Sequence, residues 1–311
     1  MPILTLTVNP VIDLSTSVDR VVPEDKLRCD EPRYDPGGGG INISRAVRQL
    51  GGETLALYAS GGPTGDLLTK LLADEQVPYR PIPISGLTRM SFVVLETGTN
   101  AQYRFGMPGP HFTAKECDAC LDSLRQLDQK PDWIVVSGSL APGLPEDIYA
   151  RVGTLAHETG CRFAVDTSGP ALKHAVEGGV DLLKPNRREL AQLAGKEYLT
   201  LDELRETAAA LIARGKARMI VVSMAEEGAL LVTAEGAWRL QAPEVPTQSR
   251  VGAGDSMVAG VVLALSRGDS EVEAARRGVA AGTAAVMSPG TLLCSRKDAE
   301  ELYPRVGVVR L

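Results

Sequence analysis

Val251-Gly252-Ala253-Gly254-Asp255-Ser256 sets a carboxylate directly behind a run of small residues at the start of a helical pattern. Met257, Val258, Val261, Val262 and Leu265 recur at helical spacing and Gly268 supplies a stop, so Gly252, Ala253 and Gly254 fall at the helix's N-terminal end. Amides there lack intrahelical partners, the dipole is positive, and missing side chains let a phosphate come close. A carboxylate beside that phosphate is repelled unless something lies between them. A substrate hydroxyl that gives its proton to Asp255 while attacking phosphorus fills the gap. The competing reading is an ordinary N-cap, because Asp is favoured at helix starts.

A second cluster, Gly37-Gly38-Gly39-Gly40, runs into Ile41-Asn42 and another helical pattern. Consecutive glycines cost chain entropy, so the backbone there needs unusual φ or very close approach to a ligand; the alternative is a flexible turn. Asn42 suits hydrogen bonding to sugar hydroxyls, or it caps the helix. Lys184-Pro185-Asn186-Arg187-Arg188-Glu189 ends one strand-like run and opens a helix. Asn186 and Glu189, three apart, share a helix face and could hold a hydrated magnesium ion near ATP phosphates, or simply start a surface helix. Asp13, just after the first strand, is expected at the same sheet edge, gripping sugar hydroxyls. Lys26, Arg28, Arg89 and Arg104 gather outside the regular alternation of elements. A substrate that is already phosphorylated would account for them, Arg89 above all; protective charges on an edge strand would too.

Other chemistries fit poorly. Gly195-Lys196 and Gly215-Lys216 are followed by Glu197 and Ala217, so no P-loop is present, and the Gly37 run lacks the third glycine of a dinucleotide fingerprint. Cys117 and Cys120 form a lone C-x-x-C in a helix-like stretch, and His111, His157 and His174 have no metal-ligand spacing.

The positioning elements alternate. Strand-like runs at Ile3 to Val8, Leu55 to Ala59, Trp133 to Ser137, Phe163 to Asp166, Val180 to Lys184 and Met219 to Ser223 are separated by helical patterns. Among these are Ile43, Ala46, Val47 and Leu50 ending at Gly51-Gly52, and a cap at Thr200 with Glu203. Short runs rich in Val, Ile and Leu suit a parallel sheet covered on both faces. Two segments break the rhythm: Ser15 to Tyr34, with paired β-like runs, and Thr88 to Phe105, a hairpin turning at Thr97-Gly98-Thr99-Asn100. Together they predict a small sheet projecting from the core. Arg80-Pro81-Ile82-Pro83 reads as a linker and subdomain boundary. Asp255 to Met287 reads as two helices rich in Ala and Gly.

A chain of 311 residues, 44% hydrophobic and 23% charged, is expected to form one large α/β domain with a small appendage. Its net charge of −6 argues against nucleic acid as the main partner, and its apolar runs fall short of a bilayer span. Met1-Pro2-Ile3-Leu4 enters a strand-like run without a basic leader, so a cytoplasmic protein is expected.

Gly37 to Asn42, Val251 to Ser256 and Lys184-Pro185-Asn186 with Glu189 resemble the signatures of the PfkB (ribokinase-like) carbohydrate kinases. Within that family the resemblance is strongest to the PfkB-type 6-phosphofructokinases, carried by Lys26-Leu27-Arg28-Cys29, Gln102-Tyr103-Arg104-Phe105, Ser137-Gly138-Ser139-Leu140 and Gly290-Thr291 with Leu293-Cys294-Ser295. The resemblance implies a three-layer αβα core over residues 1–311 with a mostly parallel sheet, and a β-sheet lid from about 12–36 and 86–106, through which chains pair as a homodimer. It implies phosphorylation of a sugar phosphate by ATP with magnesium, with fructose 6-phosphate giving fructose 1,6-bisphosphate. Tagatose 6-phosphate and fructose 1-phosphate remain alternatives, as does a non-catalytic sugar-phosphate and nucleotide sensor. By resemblance Asp255 is the base, with Gly252, Ala253 and Gly254 as its anion hole. Asp13, Gly38, Gly39 and Asn42 hold the sugar; Arg89 and Ser139, with Arg28 and Arg104, hold its phosphate. Lys184, Asn186, Ser223, Ala225, Gly228, Ser249, Val251, Gly254 and Thr283 serve the nucleotide. Lys26 resembles a residue that also contacts nucleotide, which implies inhibition by excess ATP. Ser249, Val251, Ala285 and Gly290 would hold potassium. Two departures from the family pattern stand out: Ala225 replaces the usual glycine of the nucleotide loop, and Arg250 and Ser288-Pro289 alter the cation loop.

Overall fold

Continuous burial along the short strands decides the architecture. The computed structural model describes residues 3–311; Met1 and Pro2, which lead into the expected first run, lie outside the described residues. In β1 (Ile3–Thr7), Leu4 and Leu6 enter one core and Ile3 another. A strand with apolar side chains on both faces must be covered on both faces. β2 (Val11–Val18) and β3 (Arg33–Gly37) then leave this sheet, and α1 (Gly39–Gln49) returns to it. β4 (Thr54–Ser60), α2 (Gly62–Asp74) and β5 (Tyr79–Pro83) continue the core. β6 (Arg89–Glu96) and β7 (Ala101–Phe105) leave it again.

From α3 (Ala114–Arg125) the chain alternates regularly: β8 (Trp133–Ser137), α4 (Ile148–Glu158), β9 (Arg162–Asp166), α5 (Gly169–Gly178), β10 (Val180–Leu183), α6 (Arg187–Leu193), α7 (Leu201–Ala213) and β11 (Ala217–Ser223). An antiparallel pair, β12 (Ala229–Thr233) and β13 (Gly236–Gln241), precedes α8 (Ala253–Ser266), α9 (Glu271–Val286), α10 (Arg296–Leu302) and β14 (Gly307–Arg310). The central sheet has ten strands in the order β14-β13-β12-β11-β10-β9-β8-β1-β4-β5, parallel from β11 to β5 and antiparallel from β11 to β14. One face packs under α3 to α7; α1, α8, α9 and α10 cover the other, giving three αβα layers. A second sheet has the order β3-β2-β6-β7. No helix of the described residues is long and apolar enough to cross a membrane.

The expected hairpin forms: Glu96 pairs with Ala101 across Thr97–Asn100, and Asn100 takes φ 58°. Thr200 and Glu203 form a reciprocal capping box. Three expectations need correction. Arg80 to Pro83 is not a linker but part of β5, the parallel edge strand beside β4. Ile84 donates to Ser60 O, so the N–H sites of residues 81 and 83 face away from β4 and their prolines forfeit no ladder bond. The paired runs expected over Ser15 to Tyr34 begin earlier, at Val11, and residues 19–32 between them carry no regular strand. Strands β12 to β14 are not anticipated by βα alternation, because β12 and β13 form a hairpin and β14 joins β13 antiparallel only after three α-helices.

Candidate active site

The parallel strands deliver polar residues from their carboxyl ends to one cleft: Ser137 from β8, Asp166 from β9, Lys184 just past β10 and Ser223 from β11. Helices α1 and α8 begin across from them. Gly252 is the N-cap of α8, with φ 73°, and no side chain of the described residues caps this helix. The N-cap reading of Asp255 therefore gives way, since Asp255 lies in the first turn of the helix proper. Its Oδ2 accepts a hydrogen bond from Asn42 Nδ2 at 3.0 Å.

Asn42 is aimed by a residue that sequence reasoning missed. The buried Arg45 guanidinium donates to Asn42 Oδ1 (3.3 Å) and Pro36 O (2.9 Å), and its Nε and Nη2 each meet Glu75 at 2.7 Å. An amide oxygen accepting from arginine leaves the amide NH2 to point at Asp255. Asn42 thus holds the carboxylate, with one amide N–H still to give.

Asp166 is the second missed residue. Burial pushes the Asp255 carboxyl up to about 6, helped by the Asp166 charge and opposed by hydrogen bonds from Asn42 and Ser137 and by the Lys184 ammonium. Lys184, also buried, pairs with Asp166 at 3.0 Å. Burial favours its neutral form, but Asp166, Glu189 and Asp255 outweigh that and raise its pKa, so it stays charged. A Cβ on Gly254 would lie 3.4 Å from Lys184 Nζ, which places the ammonium directly below the first turn of α8. The cleft therefore combines a cation, free helix amides and an elevated carboxylate. That set suits proton abstraction beside a transferring phosphoryl group. An Asp ending a parallel strand was the available sequence signal for Asp166.

Asn186 and Glu189 differ from expectation. They form a capping box: Asn186 Oδ1 accepts from Glu189 N (2.9 Å) and Glu189 Oε2 accepts from Asn186 N (2.8 Å). This leaves the second oxygen of Glu189, whose pKa burial and the nearby Asp166 raise against those bonds. That buried carboxylate, beside Asp166 and opposed by the Lys184 charge, fits a cation, and the Asn186 oxygen keeps a lone pair beyond its capping bond. The described residues contain no group of three or more His, Cys, Asp or Glu placed to hold a metal, so a magnesium ion here would take most ligands from phosphate and water.

Asp13 lies on β2 in the second sheet, not at the core-sheet edge, because the chain turns away at Pro10. Burial raises its pKa, while Arg89 and Arg104 lower it. Arg89 donates to Asn9 O (3.2 Å) and Met107 O (3.0 Å), and Asn9 Nδ2 donates to Ser139 Oγ (3.3 Å). Asp13, Arg89, Arg104 and Ser139 are thus brought together, with Asn9 as an unforeseen link. Gly38 needs its φ of 107°, and a side chain on Gly39 would strike Ser137 and come within 2.9 Å of Gly138 N. At Gly39 the close approach is to strand β8, so packing accounts for this glycine without a ligand.

Beside the first turn of α8 lies a cavity of about 760 Å³. Of the residues assigned to the nucleotide, Asn186, Ser223, Ala225, Gly228, Gly254 and Thr283 line it, and Ser249, Val251 and Lys184 are not among its lining residues. Met224, Met257 and Val279 give it an apolar side suited to a base. Lys26 and Arg28 are exposed in the 19–32 segment, and neither is among the cavity's lining residues. Ser249 Oγ donates to Gly290 O (2.6 Å) and accepts from Val251 N (3.2 Å), while Ala285 O accepts from Ser288 N. The four cation-loop residues include neutral oxygens with lone pairs to spare, a donor set that fits a monovalent ion.

The sequence pattern of the pfkB family carbohydrate kinases matches residues 6–298. The chain belongs to this family. The ATP-dependent 6-phosphofructokinase isozyme 2 of Mycobacterium tuberculosis is 47% identical over 97% of this chain and 88% of its own length. The protein of the same name from Escherichia coli is 40% identical, covering 97% of both chains. Phosphofructokinase-2 from Escherichia coli in complex with potassium superposes with a TM-score of 0.94 at 40% identity, over 98% of both chains. The enzyme is accordingly a sugar-phosphate phosphotransferase with a ribokinase-like fold and a small additional lid sheet. A tetrameric inhibited form of phosphofructokinase-2 from Escherichia coli, with a TM-score of 0.92 at 39% identity over 98% of both chains, corrects the expected homodimer. A tetramer needs a contact surface beyond a single pairing of two chains, so pairing through the lids alone does not describe that form.

Proposed function

We propose that the chain transfers the γ-phosphoryl group of MgATP to the 1-hydroxyl of fructose 6-phosphate, with Asp255 as the base. One observation carries the assignment of the base. Asp255, raised to about 6, sits in the first turn of α8, where its helix neighbours Ala253 and Gly254 line the large cavity. The relatives' activity supplies the substrate class.

ATP occupies the cavity between the Ser223–Gly228 loop and Thr283, its phosphates directed to the Gly252–Gly254 amides. Lys184, kept charged by Asp166, lies under that turn and balances the phosphoryl charge. Fructose 6-phosphate lies with its phosphate toward Arg89, Arg104 and Ser139 and its hydroxyls toward Asp13. Asn42 holds Asp255 so that its carboxylate takes the hydroxyl proton as the oxygen meets phosphorus; water is kept out by the lid sheet. Magnesium, held through Glu189, supplies neutralisation of the phosphate charge. A monovalent cation fits at Ser249, Val251, Ala285 and Gly290.

ADP release across a panel of fructose 6-phosphate, tagatose 6-phosphate, fructose 1-phosphate and fructose tests this reading. Highest kcat/KM with fructose 6-phosphate is expected. Preference for unphosphorylated fructose would remove Arg89 from its role, and no turnover with any sugar would leave only the sensor.

A further inference from the structure

The cavity loop is held by a device outside the reacting groups. Ala225 takes φ 52°, in the left-handed region that a residue with a Cβ disfavours, and Gly228 follows at φ 94°. Three backbone bonds close the turn: Met224 N to Gly228 O (2.8 Å), Glu227 N to Met224 O (3.2 Å) and Gly228 N to Ala225 O (3.0 Å). None of these three anchors the loop to its surroundings: Ser223 N holds its start through Pro185 O at 2.9 Å, and Glu227 holds its tip. Its Oε1 accepts from Arg187 Nη2 at 2.6 Å and its Oε2 from Arg239 Nη2 at 3.2 Å.

The two arginines come from different walls. Arg187 begins α6, next to the Asn186–Glu189 capping box, and its Nη2 also lies 3.5 Å from Met224 Sδ. Arg239 lies on β13, paired with Leu230 of β12. One carboxylate therefore ties a strained turn to the helix start on one side and the antiparallel sheet on the other. We propose that Glu227, with Arg187 and Arg239, is a positioning clamp that holds the Ser223–Gly228 loop in shape for the nucleotide and so sets ATP affinity. This rests on the cavity being the nucleotide site.

All three side chains are a third or more exposed, and such pairs add little to global stability. The clamp's effect falls on loop geometry instead. Arg187 and Glu227 line the cavity and could meet the nucleotide themselves; Arg239 is not among the lining residues, so it reports the clamp alone.

Steady-state kinetics of Glu227→Gln, Arg239→Gln and the double variant test this. Each single variant should raise KM for ATP three- to tenfold, up to about 1.4 kcal/mol, with kcat and KM for fructose 6-phosphate within twofold. The double variant should be no worse than either single one, because both break one unit. An unchanged KM for ATP in Arg239→Gln, an additive double variant, or a parallel loss in kcat and both KM values would overturn the clamp. Absence of ATP-dependent turnover in the wild-type enzyme would instead overturn the functional reading. Calorimetric titration of the same variants with ATP would then decide the clamp by itself.

Discussion

Asp255 carries the largest single consequence at the residue scale. With its carboxyl near 6, it is ionised at neutral pH yet a stronger base than an ordinary aspartate. kcat/KM should fall on the acid side with an apparent pKa near 6, and a profile flat down to pH 5 would exclude Asp255 as the base. Asp255→Asn should lose several orders of magnitude in kcat while retaining ATP binding by calorimetry. The same substitution should stabilise the fold. Because the folded-state pKa is raised above 3.8, the native state binds the extra proton more tightly, and stability is lost as pH rises through 6. The uncharged asparagine avoids this loss, so Asp255→Asn should gain about 1–3 kcal/mol at pH 8 and nothing below pH 3.8. Denaturant midpoints at the two pH values check the sign.

Elements were legible in the sequence wherever a local signal sufficed. Thr200 with Glu203 announced a helix start, and runs such as Trp133 to Ser137 announced strands buried on both sides. Pro81 and Pro83 misled because edge-strand pairing cannot be read from composition. Asp166 and Arg45 escaped for another reason: their meaning lies in partners far along the chain, Lys184 and Asp255 for one, Asn42 and Glu75 for the other. A comparable long-range tie fixes β3. Thr291 Oγ1, in the loop after α9, donates to Asp35 Oδ2 at 2.6 Å, with both residues buried and Arg33 on the other carboxylate oxygen. Thr291→Val keeps the shape and leaves Oδ2 without that donor. It should cost about 1–3 kcal/mol, read as a lower urea midpoint with unchanged slope. A midpoint equal to the wild type would show that β3 is held by its own sheet alone.

Over the whole molecule, two sheets divide the labour. The ten-stranded sheet presents Asp166, Lys184 and the cavity beside α8, while the small sheet presents Asp13, Arg89 and Arg104. The chain crosses between them four times, at β1 to β2, β3 to α1, β5 to β6 and β7 to α3, and polar ties run from Arg89 to Asn9, from Arg45 to Pro36 O and from Thr291 to Asp35. The small sheet's strands carry exposed Tyr34, Leu95, Tyr103 and Phe105, so it lacks the double burial that stabilises the core. A sheet tethered in this way should open and close more freely than the strands beneath it. A bound phosphate that engages Arg89 and Arg104 adds charge-assisted bonds to both residues at once. Hydrogen exchange should therefore slow across Val11–Val18 and Arg89–Phe105 when fructose 6-phosphate is added. Trp133–Ser137 should stay unchanged, because the core strand is already protected. ATP alone should slow exchange in the Ser223–Gly228 loop and leave the small sheet as it was. Equal protection of the small sheet by fructose and by fructose 6-phosphate would mean that its arginines do not read the phosphate, and no protection by either would separate it from the substrate altogether.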